Sequence, residues 1–196
     1  SSAVSSILFS VDGEKYNTYY QRPSAEWKWK RVSLGTIAAG EHNLMLKAKD
    51  SGFKIDKLVL TTNKDLRPQG VFEYNEPDAE TEKAAEITYM PNNEEAEKNE
   101  KIPVFEDKNG SYFIEAEDGV IRSPISVFFD ETASGEKYIS AESGTSRNLD
   151  PYNKKPNVRY KFYVKEKGTF KLWIGYFWPD SSKKSCWIGI DGKKWS

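Results

Sequence analysis

The sequence predicts an all-β fold, a β-sandwich put together from two pieces, and three observations carry that expectation. Apolar and polar residues alternate over 1–62 and again from 111 onward, with no competing helical period. Between these regions lies an acidic stretch broken by prolines. One short phrase also recurs near both ends of the 196-residue chain.

In chain order, Ile7, Phe9 and Val11 share one face of a strand that ends at the Asp12-Gly13 turn. "EWKWKRVSL" (26–34) puts Trp27 and Trp29 on one face, with Lys28 and Lys30 on the other. "AAGEHNLMLKAKD" (38–50) is a glycine turn followed by His42, Leu44, Leu46 and Ala48 on a common face. "KIDKLVLTT" (54–62) is rich in β-branched and apolar residues. The next stretch interleaves ten Glu and Asp residues between 73 and 100 with Pro68, Pro77, Pro91 and Pro103. Such composition buries little and reads as a linker, with "EITYM" (86–90) as a weak edge-pairing segment. Beyond it, "YFIEAED" is a strand. "VRYKFYVKEKGTFKLWIGYFW" (158–178) is expected as a hairpin, with Tyr160, Phe162 and Val164 on one face of the first arm and Phe170, Leu172 and Ile174 on one face of the second. "SCWIGIDGKKW" (185–195) closes the pattern.

Two of these places match. "SSAVSSILFSVDGEKY" (1–16) and "SSKKSCWIGIDGKKW" (181–195) share Ser-Ser, an apolar strand, Asp-Gly and Lys, with Asp12 and Asp191 179 residues apart. That period fits a module of roughly 135 residues plus the linker. The chain therefore reads as the back half of one repeat (1–66), an acidic linker (67–110) and the front half of the next (111–196).

Bulk properties narrow the partners. A net charge of −1 gives no global field for nucleic acid or an anionic membrane. No stretch reaches the roughly 18 apolar residues of a membrane span. The single cysteine, Cys186, allows no intrachain disulfide. With no signal peptide visible and no initiator Met, the sequence reads as an excised fragment.

These phrases resemble the jelly-roll carbohydrate-binding modules of families 6 and 35. Such modules open with a Glu-Ala-Glu strand, here Glu115-Ala116-Glu117. An Ala-Ser-Gly-Gly-x-Tyr-Ile segment follows, here "ASGEKYI" (133–139) with Glu136 in place of the second Gly. Next come a Gly-Thr-aromatic hairpin (168–180) and a Ser-rich strand ending in Asp-Gly. They close with a Trp-bearing strand, an Ala-Gly-x-His-x-Leu turn (39–44), a strand like Gly52–Thr61 and a Pro-x-Gly (68–70). The resemblance covers nearly everything except the linker, in permuted order. It implies a jelly-roll β-sandwich assembled from two complementary half-modules, secreted or at the cell surface, that binds polysaccharide and does not catalyse.

The resemblance also assigns roles. It implies that Glu115, Glu117 and Asp56 hold a structural Ca²⁺. Independently, carboxylates two apart on a strand share a face and suit a hard cation. Trp178, before Pro179-Asp180, is expected at the sandwich edge as a sugar-stacking indole. Trp27 and Trp29 are the other platforms, one expected in the core and one at the site. Trp173 and Trp187, in strand interiors, are expected in the core. Lys54 stands where family 6 modules carry Asn, which points to an acidic sugar; Arg147, Asn148 and Tyr152 lie in a long polar loop at 140–157 that could add to the site. The lone histidine, His42, reads as structural, and one His with one Cys offers no zinc cluster and no persuasive nucleophile pair. The rival reading is a structural or adhesive spacer repeat without sugar binding; a third is a support domain fused to a hydrolase or lyase.

Overall fold

The computed structural model describes residues 5–11, 17–21, 23–69, 104–105, 110–141, 157–178 and 185–191. Among these described residues thirteen strands run in chain order: β1 (Ser5–Val11), β2 (Asn17–Gln21), β3 (Ser24–Ile37), β4 (Gly40–Ala48), β5 (Lys54–Thr61), β6 (Val104–Phe105), β7 (Ser111–Glu115), β8 (Val120–Ile121), β9 (Ile125–Phe129), β10 (Lys137–Ala141), β11 (Val158–Val164), β12 (Gly168–Trp178) and β13 (Ser185–Ile190). Two single 3-10 turns, Ala116–Asp118 and Ser134–Glu136, are the only helical pieces among the described residues. The all-β expectation holds.

The strands form two sheets. One has the order β2-β1-β13-β4-β11-β6, with β8 also on β11; the other has the order β3-β12-β5-β10-β9, with β7 also on β5. Strands from before and after the acidic stretch are therefore interleaved in both sheets, and β6 itself falls inside the 67–110 stretch expected as linker. A single core lies between them: Ile7, Leu44, Leu46, Tyr160, Phe162, Cys186 and Ile188 from the first sheet meet Val32, Ile55, Leu58, Leu60, Ile114, Ile139, Leu172 and Ile174 from the second. Burying these side chains from both inner faces is the main driving force of such a sandwich.

Two sequence expectations are corrected by this arrangement. The run 158–178 is not a hairpin. β11 pairs with β4, β6 and β8, whereas β12 pairs with β3 and β5 in the other sheet. Tyr160, Phe162 and Val164 do share a face, as do Phe170, Leu172 and Ile174. Both faces are apolar, so they stack across the core rather than lying edge to edge. The second correction concerns Glu117. β7 stops at Glu115, and Ala116–Asp118 turns as a 3-10 helix, so Glu115 and Glu117 are not alternate residues of one strand.

The end of β5 is shared. Along its 57–61 half it pairs with β7, from Lys57↔Glu115 to Thr61↔Ser111. At Ile55 and Lys54 the same edge passes to β10. On the other edge, the register with β12 slips between Gly175 and Tyr176, which leaves Asp56 at the bulge. Bulges re-aim side chains, and Asp56 is thereby brought beside the 3-10 turn that carries Ser134.

β1 and β13 pair in parallel, each with an antiparallel neighbour on its other side. Their register runs from Ser6↔Ser185 to Val11↔Ile190. Every pair is 179 residues apart, the spacing of the two Asp-Gly turns.

Candidate functional site

The outward face of β3, β12 and β5 gathers most of the described chemistry. Along β12, Phe170, Leu172, Ile174, Tyr176 and Trp178 point inward, so Trp173, Gly175 and Phe177 point outward. Along β3, Val32 and Leu34 are buried, which turns Trp27, Trp29 and Arg31 to the outer side. Trp29 is the register partner of Gly175, and Arg31 that of Trp173. A Cβ at Gly175 would lie 3.5 Å from Cη2 of Trp29, ordinary contact distance, so the indole packs over this point of β12.

The result is an open groove of about 580 Å³ lined by Glu26, Trp27, Lys28, Trp29, Arg67, Pro68, Gln69 and Trp173. The segment after β5 folds back to form its wall, with Pro68 buried. The Arg67 Nη1 donates to the carbonyls of Lys64 (2.5 Å) and Leu66 (2.8 Å), which fixes the guanidinium over the groove. Arg31 stands 5.9 Å from the Trp173 ring. The Trp173 Nε1 is buried without a hydrogen-bond partner. The core indole of Trp178 has the same buried, unpartnered N–H, so this nitrogen does not by itself point to a ligand.

Beside the groove, Lys54 sits in an aromatic nest. Its ammonium lies 4.3 Å from the Tyr138 ring centroid and 4.8 Å from that of Phe177. It donates to Asp130 at 3.1 Å. Trp27 packs on Phe177 (5.5 Å) and edge-on to Tyr138 (6.1 Å), and Phe128 stacks on Tyr138 (5.5 Å). The Trp27 Nε1 donates to Thr132 Oγ1, which in turn donates to Asp130. Burial works to raise the Asp130 carboxyl, but hydrogen bonds from Thr132 and Lys54 and the Lys54 charge outweigh it and hold the group below its ordinary value. Lys54 is thus already neutralised within the protein, which removes the reason to expect it to select an acidic sugar.

At the far side of β5 the carboxylates collect. Lys57 reaches Glu115 Oε1 at 2.6 Å and Ser134 Oγ at 2.8 Å. Ser134 donates its N–H to Asp56 Oδ1 (3.0 Å) and its hydroxyl to Glu115 (3.0 Å). Burial first, and then the Glu115 charge, push the Asp56 carboxyl up to about 8. Burial pushes Glu117 up to about 7 and raises Asp118 as well. Glu115 Oε2 and Glu117 Oε2 are buried without hydrogen-bond partners. Asp56, Glu115 and Glu117 are therefore neighbours, as the sequence implied. Hard oxygen donors with unspent lone pairs suit Ca²⁺. Among the described residues, though, no three side chains converge closely enough to hold a metal as they stand, and the Lys57 ammonium lies among them.

Other expectations change. Trp178 is fully buried and packs on Tyr176 at 4.8 Å, so it is a core residue and not an exposed platform. Trp173 and Trp187, expected in the core, are half-buried on outer faces, Trp187 with the ammonium groups of Lys47 and Lys49 each 5.6 Å from its ring. Trp27 and Trp29 both lie on the outer side, and neither belongs to the core. Arg147, Asn148 and Tyr152 fall outside the described residues, as does 86–90. His42 faces Asp191 Oδ2 through Nδ1 (2.5 Å) and the Ala38 carbonyl through Nε2 (2.9 Å), and it stacks on Phe162, in keeping with a structural part. Among the described residues no helix is long and apolar enough to cross a membrane.

No protein-family model, curated protein or solved structure matches the chain.

Proposed function

We propose that the chain is a non-catalytic carbohydrate-binding module, a jelly roll completed by two half-modules, in which the Trp29–Trp173 groove holds a polysaccharide. The observation that carries this reading is the groove itself. Two indoles lie on the outer face of adjacent strands, and Arg67, Gln69, Glu26 and Lys28 ring the opening. Flat apolar sugar faces stack on indoles, and a few polar groups around them fix orientation. Glu26 and Lys28 pair with each other at 3.0 Å, so Arg67 and Arg31 are the cations that favour an acidic chain. Such a module works outside the cell, attached to a protein that acts on or adheres to glycans. A structural Ca²⁺ held by Asp56, Glu115 and Glu117 belongs to the same proposal; it would balance charge that Lys57 alone does not.

The test is retention on a panel of insoluble and soluble polysaccharides, read by quenching of Trp fluorescence. The expected result is binding by the parent chain and loss on Trp173→Ala or Trp29→Ala. The rival reading, a spacer repeat, is favoured by the recurrent segment at the two ends. Absence of quenching by every neutral and uronic-acid chain in the panel would establish it over sugar binding.

A further inference from the structure

We infer that the place between β1 and β4, held here by β13, is a strand-exchange site that accepts β13 from a second copy of this chain. The inference starts from the register. β1 and β13 carry matching sequence and lie parallel, each residue beside its counterpart 179 positions away. They divide between them the work of one strand. β1 pairs antiparallel with β2, and β13 pairs antiparallel with β4. Because β1 runs parallel to β13, it also has the right direction to pair antiparallel with β4. The sheet therefore has one strand more than its connections need.

Two consequences make exchange cheap. When β13 leaves, β1 can close against β4 with Ile7 in the place of Cys186, so no bare strand edge is left to water. And the described hydrogen bonds that fix β13 outside its ladder with β1 include its ladder with β4 and contacts to the residues flanking β4. Lys49 and Asp50 donate to the Ser185 carbonyl (3.0 and 2.9 Å), and Asp191 takes the Asn43 N–H (2.7 Å) and faces His42. A strand from another copy meets the same partners. Closed and exchanged forms then differ by concentration and connection rather than by contacts.

The native thiol supplies the test. Cys186 and Ala48 are register partners and both are fully buried, so thiols at these positions meet only when the strand is seated. The parent chain, with a thiol at 186 alone, is mixed with an Ala48→Cys, Cys186→Ser chain, which carries one at 48 alone. After a warm–cool cycle and mild oxidation of the refolded mixture, exchange is read from the 48–186 disulfide, told by peptide mapping from the 186–186 and 48–48 dimers that single-thiol chains can also form. We expect it, with a dimer-to-monomer ratio that rises roughly tenfold per tenfold rise in concentration while dimer is scarce. A Leu46→Cys, Cys186→Ser chain, out of register with 186, should not link. The inference is overturned if folded partners, checked by circular dichroism, give no 48–186 disulfide, or if the out-of-register chain links to 186 equally well. Should Ala48→Cys disturb folding, the pair Leu46→Cys and Ile188→Cys, each in a Cys186→Ser chain, reads the same slot through the Ile188↔Leu46 register. The groove takes no part, so the outcome is separable from sugar binding.

Discussion

The two faces of β12 and β5 are built from the same strands and do opposite things. Inside, Leu172, Ile174, Tyr176 and Trp178 lie against Leu58, Leu60 and the opposite sheet, nearly all without solvent exposure. Outside, Trp173 and its neighbour Trp29 line an open groove, and Lys54 is closed off by its own nest. An indole on the inner face contributes to stability, whereas one on the outer face is available for recognition. Residue type does not separate these roles; the parity of the strand does.

The sharpest way to break that comparison is to truncate one indole on each face. Trp178→Ala removes a large, fully buried side chain and should cost about 3–5 kcal/mol. In a chain of this size that is a drop in Tm on the order of 10 °C, visible by calorimetry. Trp173→Ala should leave Tm far closer to the parent while weakening polysaccharide binding, since stacking contributes about 0.5–1.5 kcal/mol, up to roughly tenfold in affinity. Equal losses of stability in the two variants would remove the distinction between the faces.

A smaller effect should come from the carboxylates beside Lys57. Asp56 rises from 3.8 to about 8 and Glu117 from 4.5 to about 7. The folded chain therefore binds more protons than the unfolded one between roughly pH 4 and 8, and stability falls as pH rises through that window. Melting in EDTA should show Tm falling by several degrees from pH 5 to 8. Added Ca²⁺ should restore it at pH 8 and do little at pH 5, because the ion binds the deprotonated, folded form. The double change Glu115→Ala and Glu117→Ala should abolish the response. A wild-type melt indifferent to both EDTA and Ca²⁺ at pH 8 would remove the calcium site.

The smallest effect sharpens the outer face itself. Arg67→Ala should reduce preference for uronic-acid over neutral chains by a few-fold, and the preference should fade with salt, since exposed charges are screened within about 8 Å at physiological ionic strength. Lys54→Ala should leave that preference unchanged, because its charge is spent on Asp130. A larger loss from Lys54→Ala than from Arg67→Ala would return the role to Lys54.

Much of this was legible in the sequence, some of it only in retrospect. The strands of 5–61 and 111–190 follow from alternation, and the inward face of β12 was named from Phe170, Leu172 and Ile174. Counting on in twos reaches Trp178 and sends Trp173 outward. The Pro179 that follows suggested an exposed strand end, and parity outweighs it. The sheet change between β11 and β12 was hidden because a short turn between two apolar runs is the signal of a hairpin; only the need for both apolar faces to meet tells otherwise. Arg67 and Gln69 were missed because a polar segment after the last strand looks like linker, while one buried proline holds it to the groove wall. The neighbourhood of Asp56 and Glu115 was foreseen from the phrases around them, but the 3-10 turn at Glu117 and the intruding Lys57 were not.

The shared edge of β5 has a consequence for how the molecule opens. β7 holds that edge through five register pairs, while the β9–β10 hairpin hangs on it by two, Ile139↔Ile55 and Ser140↔Lys54. The hairpin is otherwise held by Ile125, Ile139 and Ala141 in the core, by Ser134 on Asp56, Lys57 and Glu115, and by the nest, where Trp27, Lys54 and Phe177 grip Tyr138, and Thr132 and Asp130 close the loop. With only two register pairs to β5, the hairpin is expected to open before β12, and its amides should exchange with deuterium sooner than those of β12. A sugar seated on Trp27 and Trp29 would bear down on the same rivet, so that occupancy of the groove becomes readable as slowed exchange at Tyr138 and Ile139, a strand the ligand never touches.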